Sequence, residues 1–180
     1  METKTGATIE DLYAVAEKAE IVNGEILRMS PTGDMPARAA FKIAMSLSGV
    51  EQRLGGRAYP DNVGYKVELP NRKSFSPDAS FYTGQPTGMK FLDGAPVFAV
   101  EVRSEGDYGA QGDAALAQKR RDYFTAGTLV VWDVDLLGRD VVRVYRATAP
   151  DAPTVYRRGD VAEAEPAVPG WRIPVDELFA

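Results

Sequence analysis

The alternation of apolar and polar residues along the chain predicts a domain rich in strands. Residues 63–69 alternate between the two types, which is typical of a strand with one buried face. Residues 97–102 and 129–134 are almost continuously apolar, the pattern of central strands that are covered on both faces. Two further strands are predicted over residues 75–82 and 141–146.

The N-terminal region is predicted to contain a short helix and a hairpin. Thr8 and Asp11 have the spacing of a capping box, which predicts a helix that runs to about residue 18. Residues 21–27 have an Asn-Gly pair between apolar residues, a strong local signal for a tight turn between two antiparallel strands.

Two longer helices are predicted further along the chain. The first covers residues 36–54, with Phe41, Met45 and residues 47–48 on its inner side. The second covers residues 113–126 and ends before a glycine. Strands and helices in this order predict a single α/β domain that spans residues 1–180.

Length and composition agree with one globular domain. The chain has 180 residues, of which 44% are hydrophobic and 26% are charged. No apolar run approaches the ~18 residues that a membrane span needs, and we expect no membrane association. The first seven residues lack the pattern of a signal peptide, so the expected location is the cytoplasm.

The residues that the chain lacks narrow its chemistry. It contains no cysteine and no histidine. This excludes disulfides, thiolate and imidazole metal sites, and catalysis by Ser-His-Asp or Cys-His groups. A bound metal would need oxygen ligands, which favours Mg²⁺, Mn²⁺ or Ca²⁺. The net charge of -5 argues against a protein that coats nucleic acid without specificity.

Three residues are candidates for chemistry on local grounds. Glu101 lies within an apolar strand, where a charge is rarely buried unless it is paired or bound to metal. Asp78 follows Pro77, and a proline within a strand often marks a bulge near a site. Lys119 lies on the flank of the apolar stripe of its helix. The alternatives are a structural ion pair for Glu101, a turn at Pro77 and Asp78, and a solvated Lys119.

Seven stretches in a fixed order carry a resemblance that covers most of the chain. They comprise residues 20–29, 76–81, 96–104, 119–127, 130–134, 169–171 and 178–179. An Asp on one strand, a Glu-x-Arg on the next and a Lys on the following helix resemble the PD-(D/E)xK nuclease superfamily. More narrowly, the chain is similar to the Uma-type family of bacterial restriction-endonuclease-like proteins.

The resemblance implies a restriction-endonuclease-like fold, with a central mixed β-sheet flanked by helices. It implies that Asp78 and Glu101 bind Mg²⁺ or Mn²⁺, with help from the carbonyl of Val102. Glu20 is implied as an additional acidic member of the site. A metal held there would polarise the scissile phosphate and lower the pKa of a bound water.

The cationic residues of the motif depart from its usual form. Arg103 occupies the usual lysine position, and arginine can hold phosphate but cannot act as a base. In the similar family the lysine is displaced to the next helix, which here implies a catalytic role for Lys119. Arg72 and Lys73 lie in a turn before the strand and are candidate contacts to nucleic-acid phosphates.

The resemblance leads to three hypotheses. The first is a metal-dependent endonuclease that acts on DNA, expected as a homodimer or higher homo-oligomer because symmetric cleavage of a duplex needs two sites. The second is a non-catalytic nucleic-acid-binding or assembly module that retains the nuclease fold. In the third, Asp78 and Glu101 form a structural ion-pair set with Arg103.

Overall fold

The computed structural model describes residues 6–180. Its helical segments are α1 (Ile9–Tyr13), α2 (Asp34–Ser48), α3 (Glu51–Leu54) and α4 (Ala110–Thr125), together with two 3-10 turns, Glu105–Asp107 and Val175–Phe179. Its strands are β1 (Ala19–Val22), β2 (Glu25–Arg28), β3 (Arg57–Tyr59), β4 (Tyr65–Lys66), β5 (Ser74–Phe75), β6 (Ala79–Tyr82), β7 (Leu92–Asp93), β8 (Phe98–Val102), β9 (Val130–Val134), β10 (Val142–Arg146), β11 (Ala149–Tyr156), β12 (Val161–Glu163) and β13 (Arg172–Pro174).

The centre of the fold is a six-stranded mixed sheet in the order β11-β10-β9-β8-β6-β3. Its central strands β8 and β9 are parallel, and the other neighbouring pairs are antiparallel. The parallel pair requires a crossover, which α4 supplies between the two strands. The predicted mixed sheet flanked by helices is therefore confirmed.

The two faces of this sheet pack against different partners. On one face, Phe98, Val100 and Val102 of β8 join the core that contains α2. On the other face, Ala99 joins a core that contains Tyr123 of α4. Because side chains alternate along a strand, Glu101 lies on the same face as Ala99 and is directed toward α4.

The predicted hairpin is present as β1 and β2. Asn23 and Gly24 at its turn have φ values of 52° and 77°, the left-handed pair that a type I′ turn requires. The capping box of α1 is also confirmed, since the Thr8 hydroxyl accepts from the amide of Asp11 and the Asp11 carboxylate accepts from the amide of Thr8. The helix nevertheless ends at Tyr13. The chain after Tyr13 leads into the hairpin, where the carbonyl of Lys18 accepts from the amide of Met29.

The predicted helix over residues 36–54 is divided at Gly49 into α2 and α3. The assignment of Phe41 and Met45 to its inner side is wrong, because their exposed fractions are 47% and 56%. The buried stripe is formed instead by small and aliphatic residues, Ala39, Ala40, Ile43, Ala44 and Leu47. Alanines allow the helix to lie close to the sheet, so the larger side chains are turned outward.

Between residues 6 and 180, no helix is long and apolar enough to cross a membrane. The prediction that the first seven residues lack the pattern of a signal peptide includes residues 1–5, which lie outside the described residues. The assignment of the whole chain to one domain stays a prediction.

Candidate active site

The strand register brings Asp78 and Glu101 together. Ala79 of β6 is paired with Val100 of β8, and Asp78 and Glu101 are the next residues beyond this pair. The amide of Asp78 donates to the carbonyl of Val100 at 3.0 Å, one residue out of that register, so the pairing is irregular where β6 begins. Pro77 lies just before this point, where the short strand begins.

Each carboxylate oxygen of Asp78 has its own partner. Oδ2 accepts from the amide of Val102 at 2.8 Å. Oδ1 accepts from the ammonium of Lys18 at 3.0 Å, and the same ammonium pairs with Asp61. The Lys18 side chain is 16% exposed and that of Asp78 is 21% exposed, so the pair lies at the edge of the core.

In the part of the chain that the structure describes, Glu101 has partners at one of its two oxygens. Oε1 lies 2.8 Å from the ammonium of Lys119 and accepts from the hydroxyl of Tyr123 at 2.7 Å. Among the described residues, none donates a hydrogen bond to Oε2 of Glu101. One carboxylate oxygen therefore has room for a further ligand.

Glu20 holds Lys119 from the opposite side. Its Oε1 lies 2.9 Å from the Lys119 ammonium and accepts from the amide of Ser76 at 2.7 Å. Its Oε2 pairs with Arg72. The Glu20 side chain is only 2% exposed, and its oxygens accept from Lys119, Ser76 and Arg72, so it holds Lys119 from within the core.

A second buried carboxylate anchors Arg72. Asp122 of α4 accepts from Nε of Arg72 at 2.8 Å, and it also accepts from Asn71 and Gln118. The chain of contacts from Glu20 through Arg72 to Asp122 joins the N-terminal hairpin to α4. A charge-assisted network of this kind fixes the direction from which Lys119 enters the site.

The electrostatics of the site are dominated by burial and by an excess of carboxylates. Burial raises the pKa of Glu101 to about 7; Asp78 and Glu20 add to this effect, and Lys119 opposes it. Burial alone would lower the pKa of Lys119, but Glu101 and Glu20 outweigh it and the pKa is raised. Burial would raise the pKa of Glu20, but Lys119 and Arg72 hold it below its usual value. Lys119 therefore stays an ammonium, and Glu101 is the carboxyl with the least stable charge.

Arg103 lies apart from these carboxylates, although it is only two residues from Glu101. Its guanidinium makes a bidentate pair with Asp133, with both nitrogen–oxygen distances at 2.8 Å, and a contact of 2.6 Å with Asp113. The hypothesis of a structural ion-pair set that joins Asp78 and Glu101 to Arg103 is therefore wrong. Its suggested contact with nucleic acid stays a prediction.

The two other candidate phosphate contacts have different environments. Arg72 is buried, with a 5% exposed side chain held by Glu20 and Asp122, and this burial contradicts the prediction that it contacts nucleic acid. A guanidinium whose donors are used by two internal carboxylates is not available to a phosphate. Lys73 is 41% exposed and pairs with Glu68 at the surface, and its contact with nucleic acid stays a prediction.

The donor set fits a hard divalent cation that keeps part of its hydration shell. Within residues 6–180, no group of three or more carboxylates is arranged to hold a metal ion. Mg²⁺ is, however, commonly bound by one or two carboxylates, with water and substrate phosphate completing its shell. Asp78 and the open oxygen of Glu101 supply such a pair, and the Val102 carbonyl is the third donor that the sequence suggests.

Three members of this network were missed on the sequence alone. The sequence predicts that Lys18 ends a helix, and it gives Asp122 and Tyr123 no signal that separates them from the rest of theirs. A signal for Lys18 does exist: it lies two residues before Glu20, so an extended chain places both side chains on one face. Tyr123 and Asp122 become recognisable only when α4 is laid against β8 and the hairpin.

Comparison with known proteins agrees with the fold. Residues 9–176 match the model of the Uma2 family, whose description is "Putative restriction endonuclease", and the chain belongs to this family. The chain is also similar to a crystal structure described as a "putative nuclease belonging to DUF820" from Anabaena variabilis ATCC 29413. That likeness has a TM-score of 0.74 at 16% identity and covers 96% of this chain and 97% of the other. No curated protein matches the sequence.

Proposed function

We propose that this protein is a divalent-metal-dependent endonuclease that hydrolyses phosphodiester bonds in DNA. The observation that carries the proposal is the state of Glu101 on the central strand β8. It is a largely buried carboxylate with one oxygen held by Lys119 and Tyr123 and the other oxygen open, and it lies beside Asp78. Burial of a charge is costly, and an arrangement that leaves it incompletely bonded favours a chemical role over a structural one.

Each residue of the site has a distinct role in this proposal. Asp78, Glu101 and the Val102 carbonyl would hold Mg²⁺ or Mn²⁺. The metal supplies polarisation of the scissile phosphate and activation of water at neutral pH. Lys119 places a positive charge beside Glu101, where negative charge on the phosphate increases during hydrolysis. Glu20 positions Lys119 by holding its ammonium from the other side.

The family description and the fold of the Anabaena protein support a nuclease. Hydrolysis of both strands of a duplex requires two sites, and a homodimer is the simplest assembly that supplies them. DNA as the substrate and the homodimer belong to the proposal. Lys73 and Arg103 are its candidate contacts to the DNA backbone.

The test is a titration of Mg²⁺ and Mn²⁺ into the wild type, Asp78→Asn and Glu101→Gln. Calorimetry reports metal binding, and nicking of supercoiled plasmid in the same buffers reports activity. We expect each substitution to weaken metal binding at least about tenfold and to reduce nicking by about 10²–10³-fold, because each removes an anionic ligand.

The matched control is Asp140→Asn, which removes a carboxylate that pairs with Arg157 at the surface. It should bind metal and nick DNA like the wild type. Wild-type protein that is folded but binds neither metal at millimolar concentration would reject the proposal. The second hypothesis, a non-catalytic module with the nuclease fold, would then take its place.

A further inference from the structure

A lysine occupies the position at Asp78 where a metal ion would bind. Oδ2 of Asp78 accepts from the Val102 amide, and Oδ1 is the oxygen that faces a side-chain cation. The ammonium of Lys18 lies 3.0 Å from that oxygen. An ammonium at hydrogen-bond distance and a metal ion bound to the same oxygen would repel each other strongly, since both are positively charged.

The surroundings of Lys18 provide a second position for its ammonium. Asp61, which follows β3, also pairs with Lys18, and its side chain is 40% exposed. The amide of Asn62 donates to Asp61 at 2.8 Å, and Asn62 has a φ of 71°, so the turn itself fixes the Asp61 carboxylate. The backbone of Lys18 is held by Met29. Only its flexible side chain needs to move for the ammonium to leave Asp78 and remain bound to Asp61.

We propose that Lys18 is a resident cation that competes with the divalent metal for Asp78, and that metal binding breaks the contact of its ammonium with Asp78 while the ammonium stays paired with Asp61. This inference rests on the proposed metal dependence. It gives the metal-free protein a way to neutralise Asp78 at the edge of the core. It also sets the affinity for metal below what the two carboxylates alone would provide.

The comparison of Lys18 with Lys119 shows why only one of them has this role. The Lys119 ammonium lies between Glu20 and Glu101 and contacts the oxygen of Glu101 that also binds Tyr123. A metal can reach the other oxygen of Glu101 without displacing Lys119. Lys18, in contrast, occupies the one oxygen of Asp78 that the backbone leaves open.

The experiment measures Mn²⁺ affinity by calorimetry in the absence of DNA for the wild type, Lys18→Met, Asp61→Asn and the double variant. Lys18→Met should bind Mn²⁺ about five- to tenfold more tightly than the wild type, because a charge-assisted hydrogen bond no longer has to break. Asp61→Asn should bind more weakly, because the displaced ammonium then has no second partner. Lys18→Gln provides the same test if Lys18→Met does not fold.

The double variant separates displacement from a general effect of charge. If Asp61 acts by accepting Lys18, its substitution has no effect once Lys18 is methionine. If Asp61 acts only by attracting cations, its substitution weakens binding equally in both backgrounds, and this result would overturn the inference. Lys66→Met, which breaks a surface pair with Asp93, is the control for loss of a lysine charge and should leave the affinity unchanged.

Two further outcomes distinguish this inference from the proposed function. If the wild type binds Mn²⁺ through Asp78 but Lys18→Met binds no more tightly, competition by Lys18 is rejected and the metal-dependent nuclease stands. If neither protein binds Mn²⁺, both proposals are rejected together.

Discussion

Glu101 and Asp133 are register partners on the parallel strands β8 and β9, and they show two outcomes for a carboxylate near the core. Asp133 is held by both oxygens, since Arg103 donates to each of them at 2.8 Å. Among residues 6–180, the partners of Glu101 are Lys119 and Tyr123, and both contact the same oxygen. The first carboxylate is fully satisfied by the protein, and the second retains an open oxygen.

The difference lies in the cationic side chains that pair with the two carboxylates. The planar guanidinium of Arg103 matches both oxygens of a carboxylate, so both oxygens of Asp133 accept from it. The ammonium of Lys119 is a point charge and is divided between Glu101 and Glu20. Neighbouring strands thus carry one structural acid and one acid suited to binding a metal, and the bonding of the second oxygen separates them.

The largest effect on stability is expected from breaking the ion pair between Arg103 and Asp133. Asp133→Asn should lower the free energy of unfolding by about 3 kcal/mol, because it leaves the guanidinium of Arg103 partly buried with a single charged partner, Asp113. Urea denaturation followed by circular dichroism measures the change. A loss below about 1 kcal/mol would mean that the pair is no more structural than a surface ion pair.

The double variant Arg103→Met/Asp133→Leu is the control for this result. It removes both charges together, so no unpaired charge is left in the interior. It should be more stable than Asp133→Asn alone, since most of the loss in the single variant comes from the charge of Arg103 that is left without Asp133.

The stability of the fold is expected to depend on pH through Glu101. The pKa of Glu101 is raised to about 7 by burial, so the folded state binds its proton more tightly than the unfolded state does. Its contribution to stability is therefore present at low pH and is lost as the pH rises to about 7. Glu101→Gln removes this titration. In metal-free buffer, the free energy of unfolding of the variant should rise relative to that of the wild type as the pH increases to neutral, by at most about 3 kcal/mol.

The measurement is the free energy of unfolding of both proteins between pH 4.5 and 8, with a chelator present. Glu20, Asp78, Lys18, Lys119 and Tyr123 surround Glu101 and are present in both proteins, so the difference between the two curves reports Glu101. A difference that does not change with pH would show that folding does not shift the pKa of Glu101, and a variant that becomes less stable toward neutral pH would show that the charge of Glu101 stabilises the fold.

The sequence allowed some of these residues to be found and not others, for physical reasons. Glu101 could be recognised because a charge within a continuous apolar strand is a local anomaly. Asp78 and Lys119 have weaker local signals, a proline within a strand and the flank of an apolar stripe, and the order of motifs in a resembling family implies their roles. The hairpin was predicted correctly because an Asn-Gly turn depends on two adjacent residues.

Contacts between distant segments could not be predicted in this way. The partner of Lys18 is Asp78, which is separated from it by 60 residues, so no local pattern marks the pair. Arg72 lies in a polar turn and was taken for a surface residue, but the N-terminal hairpin covers it and supplies Glu20 as its partner. Helical periodicity predicts Phe41 on the inner side of its helix, but the alanines of α2 set which face meets the sheet.

The smallest effect is expected from the outer partner of Arg103. Asp113 contacts this guanidinium at 2.6 Å, but its own side chain is 58% exposed and solvent screens its charge. Asp113→Asn should therefore lower the free energy of unfolding by less than about 1 kcal/mol, including its favourable position in the first turn of α4. The same urea denaturation measures it beside Asp133→Asn. A loss as large as that of Asp133→Asn would mean that the two carboxylates hold Arg103 as one unit. A much smaller loss would assign the structural role to Asp133, the carboxylate that lies beside Glu101 in the sheet.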